Sequence, residues 1–184
     1  VIVIDIVLVN EQLAFSQELL EATTSDAVSV TYDGNVFATE MLVGLLVDTL
    51  QHEKATSIAS LSLMAHGSEG IVYVSSSEAW DVDALNNDAW LFEELGELFS
   101  SDGAIYLYSC DVASGAAGSG FVDQLSSTTG LQIFASNDPV GNTDDADWEW
   151  EYVTANAHDS NHQLDYSQLT DIEVVFRGDW AEEN

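Results

Sequence analysis

Short apolar runs alternate along this chain with segments that have the spacing of helices. Five runs predict strands, because they are β-branched or alternating and too short for helices: 1–9, 27–32, 58–65, 104–109 and 131–135. Apolar residues three or four positions apart predict the helices between them: 13–24, 39–53, 80–99 with a break near Asn86-Asn87, and a helix containing 121–126. Strands that alternate with helices in this way favour a mostly parallel sheet covered on both faces.

The rest of the pattern adds short strands at the periphery of this sheet. It predicts strands at 70–75, 148–153 and 172–176, with a polar loop at 137–147. No internal repeat or linker divides the chain, and its length is sufficient for one well-cored domain. We therefore predict a single α/β domain over residues 1–184, a three-layer sandwich with a mostly parallel central sheet flanked by helices.

Two of the buried runs end in a side chain that can react. One stops at His66-Gly67, and another delivers Cys110, the chain's only cysteine, into a turn of small residues. In parallel sheets both positions lie at the carboxyl edge, where ligands bind. A cysteine needs a base to form the thiolate, so Cys110 and His66 are candidates for a nucleophile and its base. The alternative is that Cys110 is a small buried hydrophobe and His66 a structural residue.

The charge of the chain restricts its partners. The chain has 33 acidic residues and only two basic ones, Lys54 and Arg177, so its formal net charge is −31. Because 46% of its residues are hydrophobic, the sequence does not predict a disordered chain. This surface disfavours nucleic acid and anionic membranes and favours basic peptides and Ca²⁺. No apolar run reaches the roughly 18 residues that span a bilayer, so we expect no membrane insertion. A single cysteine excludes an internal disulfide.

Four spaced motifs carry a resemblance that covers nearly the whole chain: 64–70 (MAHGSEG), 107–113 (LYSCDVA), 134–141 (FASNDPVG) and 147–151 (DWEWE). The apolar block that ends in His66-Gly67, followed by the apolar block that ends in Cys110, resembles the caspase-like clan of cysteine peptidases, which includes gingipain, clostripain, legumain, separase and metacaspase. More closely, the four motifs resemble an uncharacterised domain family near the start of very large bacterial surface and adhesin-type proteins. The resemblance implies a caspase-like α/β fold, with His66 and Cys110 as the dyad and Gly67 lining the oxyanion site. Ser109 stands where many of these peptidases carry Ala or Gly.

The same resemblance suggests a substrate pocket. In arginine-directed members of the clan, pocket acids come from the first strand, from two positions before the cysteine and from the loop after the next strand. The matching positions here are Asp5, Tyr108 and Asp138, and Ser136 lies in the same loop as Asp138. Two acids predict a preference for Arg or Lys side chains. The alternatives are a hydrogen-bonded strand acid for Asp5 and an ordinary turn residue for Asp138.

Three further features are candidates for binding or processing. Asp144, Asp145 and Asp147 could bind Ca²⁺, although the spacing is not that of an EF-hand and a solvated acidic loop is the alternative. No cofactor is otherwise required. His158 and His162 are a minor candidate for a metal pair. Arg177-Gly178 is a candidate processing site if the pocket accepts arginine.

Our leading hypothesis is a cysteine peptidase domain of a secreted or surface bacterial protein. Cys110 would attack a peptide carbonyl, His66 would transfer the proton, and the N–H groups of Gly67 and Cys110 would bind the oxyanion. The partners would be peptides or proteins, with the parent polypeptide among the candidates. The chain starts at Val1 without initiator Met or leader, so we expect a module of a longer protein. The alternative is a catalytically silent structural, ligand-binding or calcium-responsive module of an adhesin.

Overall fold

One six-stranded sheet organises the fold in a computed structural model, which describes residues 1–154 and 163–176. The strands in this part of the chain are β1 (Val3–Asn10), β2 (Ala27–Tyr32), β3 (Ser57–Met64), β4 (His66–Ser68), β5 (Ile71–Tyr73), β6 (Phe99–Tyr108), β7 (Gln132–Ala135) and β8 (Tyr152–Val153). The α-helices are α1 (Ser16–Ala22), α2 (Thr39–Glu53), α3 (Val82–Asn87), α4 (Ala89–Glu97) and α5 (Gly115–Thr129). A short 3-10 helix spans Tyr166–Leu169.

The strand order of the sheet is β2-β1-β3-β6-β7-β8. The pairings of β1 with β2 and β3, of β3 with β6 and of β6 with β7 are parallel, and β8 is antiparallel to β7. β4 and β5 form a separate antiparallel hairpin beyond the end of β3. The predicted fold class, a mostly parallel sheet flanked by helices in a three-layer arrangement, is confirmed.

Two hydrophobic cores lie on opposite faces of this sheet. On β6, Ile105 and Leu107 belong to one core and Tyr106 and Tyr108 to the other, because successive side chains of a strand point to opposite faces. The helical face is covered by α2, α3, α4 and α5. The aromatic face is covered by α1 and by irregular segments that include residues 164–176.

Local sequence explains where several elements begin and end. α2 buries Leu42, Leu46 and Leu50, one face at a spacing of four, and ends where Lys54 adopts a left-handed conformation with φ 56°. The predicted break in the region 80–99 is present, because α3 ends and α4 begins at Asp88.

Several boundaries differ from the predictions. Of the strand predicted at 148–153 only Tyr152–Val153 is a strand, and the helix predicted at 13–24 spans Ser16–Ala22. The glycine-rich segment before residue 121 is already helical, since α5 begins at Gly115. β6 begins at Phe99, several residues earlier than expected. Residues 172–176 form no strand of the sheet, and Val175 instead makes an isolated antiparallel bridge with Gly141. In the two described ranges, no helix combines the length and the apolar character needed to cross a membrane.

Candidate active site

The structure brings the predicted nucleophile and base to the same level of neighbouring strands. Met64 of β3 pairs with Tyr108 of β6, and His66 and Cys110 each follow two residues later. Adjacent strands lie about 4.8 Å apart, so the backbones that carry the two side chains are neighbours. The Ala65 N–H donates to the Tyr108 carbonyl at 3.3 Å. The parallel sheet thus aligns His66 with Cys110 before any side-chain contact is considered.

The two predicted oxyanion donors converge on one oxygen. The N–H groups of Gly67 and Cys110 donate to the carbonyl oxygen of Phe176 at 3.2 Å and 3.0 Å, respectively. Two backbone donors aimed at a single oxygen are the arrangement that stabilises negative charge on a carbonyl during acyl transfer. The carbonyl that they hold belongs to the same chain.

Glycine is required at position 67 by the closeness of its neighbours. A Cβ atom there would lie 2.7 Å from the Cβ of Ser109, 2.8 Å from the carbonyl oxygen of Cys110 and 2.9 Å from a methyl group of Val112. Ser109 is fully buried and donates its hydroxyl to the Ala65 carbonyl at 2.7 Å. The serine that departs from the clan's usual Ala or Gly therefore joins the ends of the two strands.

Cys110 lies at a sharp turn and is closed off from solvent. Cys110 is 0% exposed and His66 is 3% exposed. The Cys110 sulfur accepts a hydrogen bond from the Val140 N–H at 3.2 Å and lies 3.7 Å from the Val140 carbonyl oxygen. Asp111 follows in a left-handed conformation with φ 61°, which turns the chain away from β6 toward α5. A substrate from solution has no open path to either side chain in this conformation.

The cover over this site is a closing segment, residues 172–176, fastened to residues 140–142. The Phe176 N–H donates to the Val140 carbonyl at 3.1 Å, and the Asn142 N–H donates to the Val174 carbonyl at 2.9 Å. The Asn142 side chain completes the attachment: its oxygen accepts from the Val174 N–H at 2.7 Å, and its nitrogen donates to the Ile172 carbonyl at 2.8 Å. Backbone pairing thus fixes the position of the Phe176 carbonyl.

Two of the predicted pocket residues lie in a loop beside Cys110. The Asp138 carbonyl accepts from the N–H of Asp111, the residue after the cysteine, at 3.0 Å. The buried hydroxyl of Ser136 lies 2.9 Å from the Asp138 carboxylate and 2.8 Å from that of Glu151, and it donates to one at a time. The loop after β7 therefore brings Asp138 to the site edge.

The other two predicted pocket residues occupy different surroundings. Tyr108 is fully buried on the aromatic face, and its hydroxyl lies 3.1 Å from that of Tyr166. Burial, assisted by Tyr166, raises the pKa of Tyr108 well above its usual value, so it supplies no negative charge.

The pocket role predicted for Asp5 requires correction. Asp5 pairs with Ser60, whose hydroxyl also donates to the Asp5 carboxylate, and Ser60 lies about 20 Å before His66 along the strand direction. Asp5 therefore belongs to the amino-terminal half of β1. The residue that β1 carries to the site edge is the buried Asn10, whose side-chain oxygen accepts from the Gln12 N–H.

The acidic cluster of the structure differs from the predicted calcium site. Asp138, Asp147 and Glu151 hold carboxylate oxygens within 4.8 Å of one another, an arrangement that could hold a metal ion. Asp144 and Asp145 do not join this group; the Asp145 carboxylate instead accepts the Thr143 hydroxyl at 3.0 Å. The cluster thus shares only Asp147 with the predicted set, and Asp144 and Asp145 lie in the turn at 143–146.

The charge of this cluster acts on Asp138. Burial raises the pKa of Asp138 first, and the nearby carboxylates of Glu151 and Asp147 raise it further, while the Ser136 hydrogen bond opposes the shift. Bringing three carboxylates together favours a proton or a cation at this position.

Sequence reasoning did not find Phe176, Val140 or Glu151 as members of the site. An apolar run ending at Phe176 and the acid-aromatic alternation around Glu151 were visible signals, but neither indicates its partner. The predicted candidates His158, His162 and Arg177-Gly178 lie outside the described residues.

Comparison with known proteins places the chain in a family. No curated protein matches the sequence. Residues 6–176 match the family described as "Domain of unknown function (DUF4347)". This range contains both strand ends, the acidic cluster and the closing segment. Because the match covers nearly the full length, the chain belongs to the DUF4347 domain family.

Proposed function

We propose that this domain is a cysteine peptidase of the caspase-like type, with Cys110 as nucleophile and His66 as general base. The observation that carries the proposal is the convergence of the Gly67 and Cys110 N–H groups on one carbonyl oxygen, at 3.2 Å and 3.0 Å. In acyl transfer, two backbone donors beside a cysteine and a histidine bind the substrate carbonyl and stabilise the negative charge that develops on its oxygen.

The proposed reaction is acyl transfer through a thioester. His66 accepts the thiol proton as the sulfur of Cys110 attacks the substrate carbonyl, and the two N–H groups stabilise the developing oxyanion. The proton then passes to the leaving amine, and water attacks the thioester to release the carboxylate and restore the thiol.

Peptides with Arg or Lys are the substrates that charge favours. Asp138, Asp147 and Glu151 lie together in the loops beside Cys110, on a chain of net charge −31. A basic side chain would compensate the mutual repulsion of these carboxylates. We further propose that the domain acts in a secreted or surface bacterial protein, in line with the surface-protein family that it resembles.

A peptide panel tests this function. Folded wild type, Cys110→Ala and His66→Gln are incubated with fluorogenic peptides ending in Arg, Lys, Phe or Asp, with and without Ca²⁺. Hydrolysis is expected for wild type and should fall by at least about a hundredfold in both variants. Ser127→Ala, an exposed change on α5, serves as the matched control and should retain wild-type rates. Hydrolysis that survives Cys110→Ala contradicts the assignment.

The second candidate is a catalytically silent, calcium-responsive module, favoured by the three carboxylates within 4.8 Å. Ca²⁺ should then raise the melting temperature more than Mg²⁺ does, because Ca²⁺ accepts flexible carboxylate cages more readily. Asp147→Asn should abolish the difference, whereas Asp144→Asn, outside the cluster, should keep it. Equal responses to Ca²⁺ in both variants would indicate general charge screening instead.

A further inference from the structure

We propose that this chain is its own substrate and that the site cleaves the Phe176–Arg177 bond. The inference rests on the proposed peptidase function and specifies its substrate: an aromatic residue contributes the scissile carbonyl, and the basic residue, Arg177, follows the scissile bond. The acceptor of both oxyanion donors is the Phe176 oxygen, which belongs to the peptide bond with Arg177. A peptidase holds the carbonyl of the bond to be cleaved in this way.

The Phe176 side chain occupies a fitted apolar pocket. It is 0% exposed, and its ring centroid lies 5.2 Å from that of Phe15 in an edge-to-face contact. The rings of Tyr108 and Trp148 lie 6.2 Å and 6.4 Å away. An aromatic pocket holds Phe far better than a charged side chain, since burying an unpaired cation is costly.

The backbone before Phe176 is bound as peptidase substrates often are, by strand pairing. Residues 174–176 pair with residues 140–142 through the Phe176 N–H and the Val174 carbonyl. Gly141, with φ 148°, allows this approach, because a Cβ there would collide with the Val174 carbonyl. Val140 is hydrogen-bonded both to the proposed substrate residue and to the nucleophile: its carbonyl accepts from the Phe176 N–H, and its N–H donates to the Cys110 sulfur.

Water is the only reagent that the reaction needs besides the chain itself. The Cys110 sulfur forms a bond to the Phe176 carbonyl carbon, and the carbon–nitrogen bond to Arg177 breaks. The thiol proton travels through His66 to the departing Arg177 amine. Water then cleaves the thioester, leaving a carboxylate on Phe176 and the original thiol on Cys110. Cleavage releases residues 177–184 of this chain.

Intact mass spectrometry of the purified full chain tests the proposal. Wild type, Cys110→Ala and the exposed control Ser127→Ala are incubated at neutral pH and followed over time, with the zero-time sample showing any cleavage during expression. We expect fragments 1–176 and 177–184 from wild type and from the control, and an intact chain from Cys110→Ala. Circular dichroism checks whether Cys110→Ala is folded.

A second measurement separates this inference from the proposed function. Each protein is treated with peptidyl acyloxymethyl ketones ending in Phe or Arg, and adducts at Cys110 are located by peptide mapping. An intact chain whose Cys110 is labelled overturns self-cleavage and leaves the peptidase function standing. An intact chain without labelling overturns both. Cleavage at Arg177-Gly178, or cleavage that persists in Cys110→Ala, also overturns the assignment of Phe176.

Discussion

The two faces of the sheet are covered by different elements and different kinds of side chain. On the helical face, α2, α3, α4 and α5 cover the strands with mostly aliphatic side chains. On the aromatic face, α1 shares the cover with irregular segments, and Tyr, Trp and Phe rings fill the space around Cys110. Regular elements thus support the strands from one side, while loops and the closing segment assemble the site on the other.

The two faces also differ in how their covering segments are held in place. A helix is held by its own backbone hydrogen bonds, so the helical face needs only apolar side chains at the right spacing. Residues 172–176 obtain their backbone partners from residues 140–142 and from the donors at Gly67 and Cys110. We therefore expect the segment to leave the site more readily than a helix would, with the helical face still folded.

Paired truncations should give the largest effects and should distinguish the two faces. Leu46→Ala on the helical face and Phe176→Ala on the aromatic face each remove a fully buried side chain, so each should cost about 2–5 kcal/mol of unfolding free energy. Only Phe176→Ala should accelerate alkylation of Cys110 by iodoacetamide in the folded protein. Urea unfolding measures the two losses of free energy, and the rate of alkylation measures access to Cys110. Equal acceleration of alkylation in both variants would show that the two faces do not differ in their effect on Cys110.

Gly67→Ala should have the next largest effect. The added methyl group meets Ser109 and the Cys110 carbonyl at less than 3 Å, so we expect a loss of about 1–3 kcal/mol and a loss of peptidase activity. Gly44→Ala is the matched control on α2, where a Cβ meets nothing within 4 Å, and it should stabilise by about 0.5–1 kcal/mol. Full activity in Gly67→Ala would remove the oxyanion role of this backbone.

Asp138→Asn should have the smallest effect, and the size of that effect depends on pH. Because the folded pKa of Asp138 is raised above 3.8, its ionisation destabilises the fold as pH rises through that folded pKa. At pH 7 the free energy of unfolding of the variant should therefore exceed that of wild type by less than about 1 kcal/mol. This difference should disappear below pH 3.8. Thermal melts across pH measure the difference, and an advantage that grows in acid would contradict the argument.

The helical face and the strand ends were predictable from sequence. β2 and α2 have the predicted bounds, because alternation and four-residue spacing specify local structure directly. The alignment of His66 with Cys110 followed from the parallel sheet, since both runs end in reactive residues. Their chemistry remains a prediction.

The aromatic face shows where sequence reasoning stopped. The resemblance places Asp5 in the pocket, but the pairing of Asp5 with Ser60 puts it in the amino-terminal half of β1. Asp144 and Asp145 lie in a turn whose direction no periodicity specifies. The docking of Phe176 depends on long-range pairing with a polar loop, and neither segment carries a signal that identifies the other.

Covalent labelling measures the activation of Cys110 in the folded protein. The folded protein is exposed to a peptidyl acyloxymethyl ketone, and the adduct is located by peptide mapping in wild type and in His66→Gln. We expect an adduct at Cys110 in folded wild type, and the rate of its formation should fall by at least about tenfold in His66→Gln. An adduct that forms only in urea, or at equal rates in both proteins, would contradict it.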